Sequence, residues 1–182
     1  VKPRTGAEFT KAFSPVENSV IGLGIWAKGA KFMSRISHIE LNVSSYAKSI
    51  RFYDQILLPM GWRRLVCQTS HTTFTDGHSK LVLCPTEEKF LKDGYHRKRT
   101  GLNHLAFSVS SREAVDEFFQ KVLVAGSIPA IYEGKPSGDD HYYSVFFEDP
   151  DRFKLEVVYS PHYCVPSHWT NSLADDFDPY AI

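Results

Sequence analysis

Residues 35–57 read RISHIELNVSSYAKSIRFYDQIL, and residues 101–123 read GLNHLAFSVSSREAVDEFFQKVL. Aligned at a constant offset of 66, they share His38/His104, Val43/Val109, Ser44/Ser110, Ser45/Ser111, Phe52/Phe118 and Leu57/Leu123. The ends of the two halves correspond as well. Phe74–Leu81 (FTDGHSKL) matches Phe147–Leu155 (FEDPDRFKL) when the second turn is one residue longer. Two copies of one unit is the economical reading, and a repeat constrains the fold more than any single element does.

Each copy opens on a strand. In 36–43, Ile39, Leu41 and Val43 share one face while His38, Glu40 and Asn42 share the other. The second copy sets Leu105, Phe107 and Val109 against His104, Ala106 and Ser108. Paired serines follow as helix N-caps, and Ser110-x-x-Glu113 has the form of a capping box. The second helix carries Val115, Phe118, Phe119, Val122 and Leu123 at amphipathic spacing; the first has the poorer stripe Ile50, Tyr53, Ile56 and Leu57. Three strand-like runs complete each copy: 62–69, 71–75 and 80–84, then 130–133, 142–148 and 154–159. The expected fold class is α+β, with two βαβββ modules pairing into an open, curved, mixed β-sheet barrel with the helices outside.

The modules are expected over 33–86 and 101–160, joined by the polar linker 87–100. Residues 1–32 start with Val and show no sustained period, so they are expected to be an extension, expression-derived or a natural arm, ahead of a natural start at Met33. Residues 161–182, broken by Pro161, Pro166 and Pro179, read as a C-terminal arm.

Composition bounds the function. Lys plus Arg is 21 and Asp plus Glu is 21 in 182 residues, so there is no basic footprint for nucleic acid or an anionic membrane. The apolar stretch 20–27 is too short to span a bilayer. Three scattered cysteines, Cys67, Cys84 and Cys164, form no closed disulfide framework and point to a reducing compartment, the cytoplasm.

The helix stripe must cover one face of its sheet, leaving the face with His38 and His104 to line a concavity. Glu156 joins them, alone among Leu155, Val157, Val158 and Tyr159. A bare carboxylate there costs several kcal/mol to bury unless a cation or strong donors meet it. A single strand histidine is more often a hydrogen-bonded core residue, and Glu156 alone could be an edge charge. Recurrence of His at the same place in both copies shifts the balance towards a two-His-one-carboxylate metal site with open positions for substrate.

The βαβββ repeat, the first-strand histidines and the run FFEDPDRFKLEVVY over 146–159 resemble the vicinal oxygen chelate superfamily, which includes glyoxalase I, extradiol dioxygenases, fosfomycin-resistance thiol transferases and bleomycin-resistance proteins. The resemblance implies His38, His104 and Glu156 as ligands of a divalent metal ion: zinc, iron, manganese or nickel. It also implies a substrate that chelates the ion through two adjacent oxygens. Glyoxalase I-like members have a fourth ligand, usually Glu, where Val82 stands here. Their proton-shuttling isomerisation thus loses a ligand and a base, and the lyase, thiol-transfer and dioxygenase branches stay open.

His141, Tyr142 and Tyr143 are weak catalytic candidates near Glu156. Glu40, Asn42 and Arg97 are candidate substrate contacts, whereas Asp139-Asp140 reads as a turn. Cys84 shares strand parity with Val82 but has no visible base for a nucleophilic role. The expected partner is a small-molecule substrate, and paired modules can also associate between chains as a homodimer. A rival reading is a metal-free small-molecule sequestering protein of the bleomycin-resistance type.

Overall fold

The computed structural model describes residues 36–161. The extension expected over 1–32, Met33, Cys164 and all of the expected arm beyond Pro161 lie outside these described residues.

The repeat folds twice into the same unit. β1 (His38–Val43), α1 (Tyr46–Leu57), β2 (Arg63–Cys67), β3 (Thr72–Thr75) and β4 (Lys80–Pro85) form the first module. A 3₁₀ segment, Glu88–Asp93, lies in the linker. The second module holds β5 (His104–Ser108), α2 (Arg112–Phe118), β6 (Ser137–Gly138), β7 (Tyr143–Glu148) and β8 (Lys154–Tyr159). The sheets are open and mixed, ordered β1-β4-β3-β2 and β5-β8-β7-β6. In each, the first strand runs parallel to the last and the remaining pairings are antiparallel.

Alternation along β1 places Val43 in the core and leaves His38, Glu40 and Asn42 exposed. Tyr53, Ile56 and Leu57 of α1 and Val115, Phe118, Val122 and Leu123 of the second helical segment enter one common core with both sheets. Phe147 of β7 joins the modules: its ring centroid lies 6.4 Å from that of Phe52 and 5.7 Å from that of Phe118. Trp62 meets Phe107 edge-on at 5.7 Å. Each such aromatic contact adds about 0.5–1.5 kcal/mol beyond the area it buries.

The Asp-Pro-Asp turn is a second junction. Asp149 Oδ1 accepts the backbone N–H groups of Asp151 and Phe153, both at 2.8 Å, while Oδ2 accepts the Tyr53 hydroxyl of α1 at 3.1 Å. Asp151 then takes the Ser44 backbone N–H at 3.0 Å and also pairs with the Ser44 hydroxyl. Burial pushes the Asp149 carboxyl up to about 6, partly opposed by the two backbone N–H bonds.

Three local expectations are corrected. Residues 130–133 do not form a strand; Ala130 makes one bridge to Phe147. Tyr132 takes φ 62° and Gly134 φ 69°, turning the chain away, and the pairing with β7 resumes at Ser137–Gly138. The cap of α2 is Ser111, whose hydroxyl accepts the Ala114 N–H at 3.2 Å, instead of the Ser110 capping box; Ser45 at the first helix makes no side-chain cap. The second helix is α only to Phe118 and continues as a π turn over Phe119–Val124, which still buries Val122 and Leu123.

Candidate metal centre

β8 runs through the middle of its sheet, between β5 and β7. Its register sets Glu156 beside Ala106 and Phe146, and Lys154 beside His104. Glu156 is fully buried, at 0% exposure. The Tyr142 hydroxyl donates to its Oε1 at 2.5 Å, whereas Oε2 receives no hydrogen bond among the described residues. His104 Nε2 is 3.3 Å from that same oxygen.

The distance alone would suggest an ion pair, but the hydrogen-bond network fixes the tautomer. The Asn103 side-chain N–H donates to the Arg97 carbonyl at 3.0 Å, which turns Asn103 Oδ1 towards His104 Nδ1, also 3.0 Å away. Nδ1 therefore carries a proton, and in the neutral ring this leaves a lone pair on Nε2. Two acceptors, Nε2 and Oε2, then face one another. A cation between them, or a second proton on the ring, relieves the opposition. A ring oriented through Nδ1 beside a carboxylate with a free oxygen is the donor chemistry that a divalent ion needs.

The surroundings are aromatic. The Phe146 ring lies 6.2 Å from that of His104 and 5.4 Å from that of Tyr132. The Lys154 ammonium sits over Phe146 at 5.3 Å and Tyr132 at 5.9 Å, within reach of cation–π attraction. Lys154, Phe146 and Tyr132 were absent from the sequence-derived site. Lys154 shares strand parity with Glu156, a signal available in the sequence; Tyr132 reaches the site because of its positive φ, which no alternation pattern encodes.

The remaining sequence candidates fall elsewhere. His38 does not join His104 and Glu156: among the described residues no three His, Cys, Asp or Glu side chains converge to hold a metal. Its side chain is 52% exposed, with Nε2 3.9 Å from Glu40 Oε1. Glu40 and Asn42 border a cavity of about 490 Å³, with Tyr95, Arg99 and Asp151, and neither His104 nor Glu156 lines it. Arg97 is paired with Glu148. Tyr143 donates to Asp116 at 2.8 Å, with Arg112 stacked 4.1 Å over its ring. Asp139 accepts the His141 and Tyr142 N–H groups at 2.7 and 3.0 Å, the expected turn, which also delivers Tyr142 to Glu156. Those bonds hold the Asp139 carboxyl below its usual range. Burial, reinforced by the Glu40 charge, raises the Cys84 thiol above its usual value, which disfavours the nucleophilic thiolate.

The family model described as the Glyoxalase/Bleomycin resistance protein/Dioxygenase superfamily matches residues 35–157. The chain belongs to this superfamily. The chain is also similar to the uncharacterized protein YqjT of Bacillus subtilis (strain 168), 38% identical over 122 residues, which cover 66% of this chain and 95% of YqjT. Metallothiol transferase FosB of Shouchella clausii (strain KSM-K16) is 30% identical over 125 residues, 67% of this chain and 77% of its own. A crystal structure from Bacillus halodurans, described as a candidate glyoxalase, superposes with a TM-score of 0.63 at 40% identity, covering 68% of this chain and 94% of that one. Among the described residues, no helix is long and apolar enough to cross a membrane.

Proposed function

We propose that this superfamily member is a metal-dependent enzyme that chelates two adjacent oxygens of a small-molecule substrate on a divalent ion. Zinc, iron, manganese and nickel are the candidate ions, with His38, His104 and Glu156 as the protein ligands. The observation that carries the reading is the opposition of His104 Nε2 and the orphaned Glu156 Oε2 at 3.3 Å. When bound, the ion supplies Lewis-acid stabilisation of negative charge on the substrate oxygens, worth several kcal/mol in a transition state. Asn103 holds the ring in its ligating tautomer, Tyr142 fixes the carboxylate through Oε1, and Lys154 offers a shielded ammonium to a substrate oxyanion. The likeness to FosB makes thiol transfer the first reaction to assay.

His38 reaches the centre from a second copy of the chain. Among the described residues, β1 and β5 each form one edge of their sheet. Edge pairing of two copies would satisfy the backbone groups these strands leave open and set the first module of one chain beside the second module of the other. The free thiols Cys67 and Cys84 suit a cytoplasmic setting. The metal-free sequestering alternative is less well supported, because it leaves the His104–Glu156 opposition to be relieved by a proton alone.

Metal content measured by mass spectrometry, on protein purified without a polyhistidine tag, tests the reading. About one ion per chain is expected, lost from both His38→Ala and Glu156→Ala. No ion after reconstitution would overturn it and leave the metal-free binder.

A further inference from the structure

The two modules place their carboxylates on neighbouring strands. In the second module the register pair is Ala106 on β5 and Glu156 on β8; in the first, the corresponding pair is Glu40 on β1 and Val82 on β4. Parallel register partners stand side by side on the same face, about 4.8 Å apart. The acidic and the small apolar residue have therefore exchanged places across one strand spacing, and the first module keeps a carboxylate on its histidine face.

The local geometry repeats as well. In each module the histidine Nδ1 is held by the side chain of the residue before it, Ser37 Oγ at 3.3 Å and Asn103 Oδ1 at 3.0 Å. In each, Nε2 is turned to a carboxylate, Glu40 Oε1 at 3.9 Å and Glu156 Oε2 at 3.3 Å. Glu40 is accessible, with its side chain 58% exposed at the rim of a cavity. Its charge is not neutralised by a Lys or Arg partner among the described residues.

We propose that Glu40 is a fourth protein ligand of the metal centre, supplied from β1 together with His38 in place of the β4 carboxylate that Val82 precludes. This rests on the metal-centre reading given above. A single carboxylate leaves a divalent ion with one uncompensated positive charge; the second neutralises it and leaves the Lys154 ammonium as the positive group that meets a substrate oxyanion.

The test is metal affinity of the full chain, measured with manganese and zinc by competition against a chromophoric chelator. Four proteins are compared: wild type, Glu156→Gln, Glu40→Ala, and Glu40→Ala combined with Val82→Glu, which copies the second module's arrangement into the first. Glu40→Ala is expected to weaken binding at least about tenfold, since loss of even a supporting group costs a metal site that much. The double variant is expected to recover most of the loss. Should it fail to fold, the exposed single substitution still decides. Wild-type affinity in Glu40→Ala, with binding lost in Glu156→Gln, would overturn the fourth ligand and keep the centre. Equal binding by Glu156→Gln and wild type, or no binding by either, would overturn both.

Discussion

Asp76 and Asp149 occupy equivalent turns of the two modules, and their carboxyls are driven in opposite directions. Asp76 is exposed; desolvation is the largest single influence on it, but the backbone N–H groups of Ser79 and His78 together outweigh it, and its carboxyl lies below the ordinary value. Asp149 accepts two backbone N–H groups as well, but it is only 6% exposed and takes the Tyr53 hydroxyl from the other module, so burial lifts it to about 6. The same turn chemistry is thus local in the first module and a junction between modules in the second. The histidine–carboxylate pairs differ in the same sense: His38 and Glu40 face outward, whereas Glu156 is sealed beneath His104, Tyr142 and Phe146. Repetition of sequence sets the frame, and burial decides what each copy of a residue does.

The largest expected effect lies at Asp149. Its folded-state carboxyl titrates above the ordinary 3.8, so the fold binds that proton more tightly than the unfolded chain does. The stability linked to this proton is fully present below pH 3.8 and lost as pH rises through about 6. Asp149→Asn keeps the acceptor for the backbone and removes the titration. Relative to this variant, wild type should lose up to ~3 kcal/mol between pH 4 and pH 7.5, read by denaturant unfolding across that range. Tyr53→Phe leaves Asp149 Oδ2 without its donor and should cost about 1–3 kcal/mol at neutral pH. An equal loss from the repeat-related Asp76→Asn would break the contrast between the two turns.

A smaller contrast lies at the helix starts. Ser111→Ala removes a cap and should cost about 1 kcal/mol, whereas Ser45→Ala should cost a few tenths at most, because Ser45 makes no side-chain cap. Thermal melts of the two variants check the difference. Equal losses would mean that Ser45 caps α1 in solution.

The architecture was legible because the repeat fixes module, strand order and helix stripe together, and a stripe such as Val115, Phe118, Val122 and Leu123 survives even where α geometry gives way to a π turn. Glu156 was legible for a related reason: one acid in an apolar strand must have a partner. What escaped was set by backbone conformation and by contacts distant in sequence. The positive φ of Tyr132 ends a run that alternates like a strand and carries the ring to Lys154. The most specific stretch of sequence, Asp149-Pro-Asp151, reads as a family marker, yet its side chains lock Tyr53 and Ser44 of the first module. No spacing rule ties residues roughly a hundred positions apart.

The most direct test of a shared centre is metal loading of a mixed assembly. His38→Ala and Glu156→Ala proteins, each metal-free alone, are unfolded together, refolded at equal concentration and measured for bound metal. If His38 of one copy completes the site of another, a mixed pair carries one centre with every ligand intact, and metal retention returns to roughly a quarter of the wild-type value for random pairing. A mixture that stays as empty as its two components would contradict a metal centre built from His38 of one chain and His104 and Glu156 of the next.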